Sequence, residues 1–111
     1  MTNPALSNLT KLLATGKETA LLRFSLGNEL LKAADADAAV EHLRRAVALD
    51  PDYSAAWKLL ARALTEAGRL DEALQTYDIG ITVADRRGDR QAAKEMAVFA
   101  RRLRNRIEAA D

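Results

Sequence analysis

The chain has 111 residues, of which 49% are hydrophobic and 30% are charged, with two prolines, five glycines and no cysteine. This composition is typical of a folded helical protein and not of a disordered one. The absence of cysteine excludes disulfides, thiolate catalysis and cysteine-ligated metals, and a net charge of +1 gives no overall attraction to nucleic acid or to an anionic membrane.

Neither a membrane span nor a secretory signal is predicted. No segment has the ~20 consecutive apolar residues of a membrane-spanning helix. Residues 1–16 have neither a charged start nor the continuous apolar run of a signal peptide. We therefore expect no membrane association and a cytoplasmic location.

A short amphipathic helix is predicted first, over residues 4–14. Asn3 and Pro4 make a capped helix start, and Gly16 offers a stop. The leucines between them lie at helical spacing on one stripe: Leu6, Leu9, Leu12 and Leu13. We expect this stripe to pack on the element that follows, with docking to a partner as the alternative.

Two copies of one unit follow, over residues 20–53 and 54–87, offset by 34 residues. The offset places Leu26 on Leu60 and Leu30 on Leu64. Each copy predicts two helices separated by a turn, over about 18–33 and 37–49 in the first copy and 54–67 and 71–84 in the second. Small residues recur where antiparallel helices would approach most closely, namely Gly27, Ala39, Ala61, Ala73 and Gly80.

A long last helix is predicted within residues 88–110. Its apolar positions recur at helical spacing and are Ala92, Met96, Phe99, Leu103 and Ile107. If this helix began a third copy at the 34-residue offset, Lys94-Glu95 would stand at the position of the Leu-Gly pair of the first copy. A shift of about two residues would place Met96-Ala97 at that position instead. We expect this helix to cover the apolar end of the second copy, because the last repeat of an open array needs a cap.

The repeated unit resembles the tetratricopeptide repeat (TPR), and residues 86–103 resemble the ends of short bacterial TPR proteins of unknown function. The pattern W-x2-L-G-x2-Y, A-x3-F, P is matched in the second copy by Trp57, Leu60, Ala61, Leu64, Ala73, Tyr77 and Gly80, and in the first by Leu26, Gly27, Leu30, Ala39, Leu43, Ala46 and Pro51. Arg23 replaces the Trp in the first copy, and Asp85 replaces the Pro in the second. The resemblance implies an all-α fold: a right-handed superhelix of two helix pairs, with an N-terminal helix and a long C-terminal capping helix.

The resemblance also implies a protein–protein interaction module, an adaptor or scaffold that binds a partner peptide along its concave face. In the family that face is lined by the first helix of each pair. On this chain it is predicted to carry Leu21, Phe24, Asn28, Leu31 and Lys32 from the first pair, and Ala55, Lys58, Arg62, Thr65 and Glu66 from the second.

A carboxylate of the partner is the predicted ligand of this face. Lys58 and Arg62 are four residues apart and therefore project from one helix face, with Asn28 on the neighbouring first helix. Leu21 and Phe24 would form an apolar shelf beside them. The carboxylate-clamp members of the family use a similar Lys/Asn/Arg set, but this chain matches only Asn28, since Phe24 stands at the site of the first lysine. The alternative is that Lys58 and Arg62 are ordinary solvated charges.

No residue pattern indicates an enzyme, a cofactor or a metal. The single histidine, His42, stands alone within a helix, whereas a metal site needs several ligands. Two other functions are open: self-association through the end helices, with a monomer or weak homo-oligomer as the expected state, and nucleic-acid binding. From Arg86 onward there are eight Lys and Arg against four acids, but apart from Phe99 no aromatic residue lies among the arginines for base stacking, which argues against nucleic acid.

Overall fold

The computed structural model describes residues 3–110, and over this range the chain is all-α, as predicted. Its helices are α1 (Pro4–Ala14), α2 (Ala20–Lys32), α3 (Ala36–Leu49), α4 (Ser54–Glu66), α5 (Leu70–Arg86) and α6 (Arg90–Ala110). The differences from the predicted helix bounds are at most two residues: α2 begins two residues after the predicted start, and α5 continues two residues past the predicted end at Ala84.

The helices stack in chain order and form two layers. Each helix packs on the next one, from α1 to α6. In addition the backbones of α2 and α4, and those of α4 and α6, approach each other closely, whereas α3 and α5 lie further apart and meet through the ion pair of Arg44 with Glu72. Helices α2, α4 and α6 therefore form an inner layer, and α3 and α5 an outer layer. Because the inner helices approach one another more closely than the outer ones do, the stack, 43 × 32 × 19 Å in extent, is concave on the inner side.

Two glycines lie where helices approach most closely. A Cβ atom added to Gly27 of α2 would lie 2.5 Å from Leu43 Cγ of α3. A Cβ on Gly80 of α5 would lie 2.6 Å from Met96 Sδ of α6 and 3.1 Å from Trp57 Cβ of α4. Glycine in a helix costs about 1 kcal/mol relative to alanine, and here the close contact with buried side chains offsets that cost.

Helix α6 covers the apolar end of the second copy. Met96, Ala100 and Leu103 are buried in the common core. Met96 and Ala100 follow Leu60 and Leu64 of α4 by 36 residues, so the shift of two residues restores the repeat register. Phe99 was predicted to lie on the buried apolar face of this helix, but it is 39% exposed.

The turns within the two helix pairs have the same hydrogen bonds but different residues at one position. Asp35 N donates to Leu30 O at 2.9 Å in the first pair, and Arg69 N donates to Leu64 O at 2.9 Å in the second. This bond requires a left-handed residue just past the helix end. That residue is Gly68 in the second pair, with φ of 79°, but it is Ala34 in the first, with φ of 61°.

A cluster of polar side chains links the segment before α2 to α3. Glu18 accepts hydrogen bonds from Arg45, with Nη2 at 2.8 Å from Oε1, and from Arg23. These two guanidinium groups, that of Arg45 first, lower the pKa of Glu18 to about 2. Arg23 Nη1 also donates to His42 Nδ1 at 3.0 Å, and burial lowers the pKa of His42. His42 is thus a neutral hydrogen-bond acceptor in this cluster.

Ala34→Gly is expected to stabilise the protein by about 0.5–1 kcal/mol. A left-handed residue with a Cβ costs about 1–2 kcal/mol, part of which is offset by the greater freedom of glycine in the unfolded chain. Urea unfolding followed by circular dichroism measures the change. The matched control is Gly68→Ala at the equivalent position, which should destabilise by about 1 kcal/mol; an A34G protein less stable than wild type would contradict the expectation.

Gly27→Ala is expected to destabilise the protein by about 1–2 kcal/mol. The added methyl group meets the branched carbon of a fully buried leucine, and overpacking of this kind costs about 1–3 kcal/mol, more than the helix propensity gained. Gly80→Ala is the comparison, and its effect should be smaller because it faces the flexible thioether of Met96. Equal stability of G27A and wild type in thermal unfolding would show that α2 and α3 can separate at no cost.

Candidate partner-binding groove

The concave side holds a groove of about 660 Å³. It is lined by residues of all three inner helices and by one residue of α5: Phe24, Asn28, Ala55, Lys58, Leu59, Arg62, Thr65, Glu66, Tyr77 and Phe99. Six of the nine predicted site residues therefore lie together, namely Phe24, Asn28, Lys58, Arg62, Thr65 and Glu66. Ala55, predicted on the same face, is beside them.

The floor of the groove is apolar and largely aromatic. The Tyr77 and Phe99 rings are tilted against each other with centroids 6.1 Å apart, and Phe24 packs on Tyr53 with centroids 5.0 Å apart. Tyr77 is buried, and this burial raises the pKa of its hydroxyl, so the phenol stays neutral. Phe99 remains 39% exposed and presents an apolar surface to the groove.

The cations predicted to hold a carboxylate already have partners inside the protein. Lys58 Nζ donates to the Glu95 carboxylate of α6, and Arg62 Nε donates to Glu66 Oε1 at 3.3 Å. The hydrogen bond from Lys58, assisted by one from Gln91, lowers the pKa of Glu95. Lys58 and Arg62 therefore line the groove as members of ion pairs.

Three predicted residues do not line the groove. The assignment of Leu31 was wrong: it is only 9% exposed, because it follows Gly27 by one helical turn and shares the face that packs on α3. Leu21 is 64% exposed but borders a separate cavity beside Leu12 of α1. The Lys32 side chain, 65% exposed, lies near Glu29 at the end of α2.

Three residues that line the groove were missing from the prediction: Leu59, Tyr77 and Phe99. The apolar spacing assigned Tyr77 and Phe99 to the core. For Phe99 a signal was present, because Glu95 and Arg102 lie four residues before it and three after it, on the same helix face. An aromatic residue between two charged neighbours of one face indicates the border of the core.

None of the helices formed by residues 3–110 combines the length and the apolar character that crossing a membrane requires. The fold and the groove instead define a helical-repeat protein with a concave surface. A family model described as "Tetratricopeptide repeat" matches residues 30–97. The chain belongs to the tetratricopeptide repeat family, which confirms the resemblance seen in the sequence.

Similar proteins come from bacteria. The TPR repeat-containing protein PA0015 of Pseudomonas aeruginosa is 51% identical over 98 residues, which are 88% of this chain and 93% of that protein. The solution structure of protein BPP2914 from Bordetella parapertussis has a TM-score of 0.82 and 40% identity, covering 96% of this chain and 91% of that one.

A third structure carries a description of its site. YrrB, described as "a TPR protein with an unusual peptide-binding site", has a TM-score of 0.66 and 25% identity, covering 88% of this chain and 58% of that one. Tetratricopeptide repeats generally serve as protein–protein interaction modules, so the fold is that of an interaction module.

Phe99→Ala is expected to cost less stability than Met96→Ala. Met96 is fully buried, and its truncation should destabilise by about 2–5 kcal/mol. The Phe99 ring is partly exposed to the groove, so its loss should cost less than the about 3–5 kcal/mol of a buried phenylalanine. Urea unfolding of the two variants provides the comparison, and a larger loss for F99A would place the ring in the core.

Proposed function

We propose that the chain is a non-enzymatic adaptor or scaffold that binds a segment of a partner protein in the concave groove. The observation that carries this proposal is the combination of exposed aromatic surface and polar rim in one groove. Phe24, Leu59 and Phe99 supply apolar contact area, which provides most of the affinity in such sites. Asn28 and Thr65 supply hydrogen-bonding groups at the rim, which orient a bound backbone.

The size of the groove favours a short peptide segment. A volume of about 660 Å³ lies within the range of sites that enclose a small ligand, and it suits a few side chains of one extended or helical segment. The likeness to YrrB, whose description names a peptide-binding site, supports the same class of ligand. Within this proposal the protein acts in the cytoplasm as a monomer or weak homo-oligomer and needs no cofactor or metal.

Self-association through an end helix is the second candidate. Its supporting observation is at α1, where Leu12 is 49% exposed and Leu21 of α2 is 64% exposed beside it. None of the residues of α1 is fully buried. Sedimentation equilibrium separates the two functions, because a mass that stays at 12.1 kDa at every concentration would contradict self-association.

Phe99→Ala is expected to weaken peptide binding by about tenfold or more, because exposed aromatic residues at the centre of a site carry much of the binding energy. The probe is a set of dodecapeptides selected on the wild-type protein from a random displayed library, with affinities measured by fluorescence anisotropy. The matched control is Ile79→Ala, since Ile79 is 45% exposed but lies on the outer helix α5 and not in the groove.

The control should change affinity by no more than about twofold. Equal losses in F99A and I79A would contradict binding in the groove. A wild-type protein that selects no peptide would contradict the proposed function itself.

A further inference from the structure

The groove continues along α6 into a smaller cavity of about 170 Å³. Thr65, Tyr77 and Phe99 line both spaces. The residues added by the smaller cavity are Arg102, Leu103 and Arg106, all of them on α6. Arg102 and Arg106 are one helical turn apart, so both guanidinium groups border the same end of the groove.

These two arginines differ from the other cations of the groove. Lys58 is paired with Glu95, and Arg62 with Glu66. Arg102 and Arg106 form no ion pair with any residue in the range 3–110, although their neighbour Arg104 lies 3.9 Å from Asp78. At this end of the groove three arginines (62, 102 and 106) face one acid, Glu66, which leaves a net charge of +2.

We propose that Arg102 and Arg106 bind the side-chain carboxylate of an aspartate or glutamate in the partner segment, next to an apolar side chain seated against Phe99. Guanidinium groups match carboxylates in geometry as well as in charge. An apolar side chain seated on Phe99 would displace water beside the two arginines, which strengthens the electrostatic interaction. This inference rests on the proposed function, because it names the chemistry of the segment that the groove binds.

The same surroundings favour a peptide over a nucleic acid. A polyanionic backbone that followed the groove from Arg106 would pass the carboxylates of Glu66 and Glu95. Only one of the two rings at this end, Phe99, is exposed for stacking, because Tyr77 is buried. A single acidic residue beside an apolar one makes use of the arginines and avoids both acids.

A charge-swap selection tests the assignment. Random dodecapeptides are displayed without a free carboxyl terminus, so that only side-chain carboxylates are available, and are selected on wild type and on the double variant R102E/R106E. The matched control is K94E/R101E, which changes the charge of α6 by the same amount at exposed residues outside the groove. Circular dichroism and thermal unfolding check that both variants fold as wild type does.

Wild type and K94E/R101E should select Asp or Glu at a constant spacing from a large apolar residue, whereas R102E/R106E should select Lys or Arg there. Peptides from the wild-type selection should bind R102E/R106E about tenfold more weakly. Wild-type selections without an acidic preference, or an unchanged preference in R102E/R106E, would overturn this inference and leave the proposed function standing.

Two further outcomes are informative. Failure of wild type to select any peptide would overturn the proposed function, and this inference with it. Binding of a single-stranded oligouridine that R102E/R106E loses, while the selected peptides still bind, would assign the arginines to nucleic acid and overturn the inference alone.

Discussion

The close approach of helices at Gly80 is the contact on which the groove depends. This residue of the outer helix α5 lies against Trp57 of α4 and Met96 of α6 at the same time. The flexible Met96 side chain can make room for little more than a methyl group there, so a larger side chain would push one of the two inner helices outward, since interiors are close-packed. Because Gly80 has no side chain, α4 and α6 can both pack closely on α5. This packing sets the distance between α4 and α6, and therefore the width of the groove between them. In the same way, Gly27 allows α2 and α3 to approach closely, because it faces the Leu43 side chain.

Helix α6 completes both the core and the site. One face of it buries Met96, Ala100 and Leu103, which removes the exposed apolar end of the second repeat. A neighbouring face brings Phe99 to the groove. A cap that only shielded the core would need an apolar inner stripe and a polar outer one, whereas this helix has a third face of mixed character. The family match ends at residue 97, so most of that face lies beyond the matched residues.

The sequence predicted the helices well and the site in part. Helical periodicity separates a buried stripe from an exposed one, which is why the helices and most of the core residues could be located in advance. It does not resolve residues at the edge of a stripe. Leu31 was expected to be exposed and is buried, and Phe99 was expected to be buried and is partly exposed. Their positions depend on the rotation of each helix relative to its neighbours, which is set by contacts such as that of Gly27 with Leu43.

The sequence also could not show which charged side chains pair with one another inside the protein. This pairing determines where in the groove a charged partner residue can add binding free energy. Lys58 meets Glu95, a residue 37 positions further along the chain, only because α6 lies beside α4. A partner carboxylate that bound Lys58 would replace the ion pair of Lys58 with Glu95. Its net contribution to the binding free energy would therefore be only the difference between two similar interactions. At Arg102 and Arg106, with no ion pair to break among the described residues, the new interaction is opposed by desolvation and by the side-chain entropy of the two exposed arginines, but it replaces no existing pair. The two repeats build the groove, but its selectivity for charge is therefore set by the helix that closes the stack.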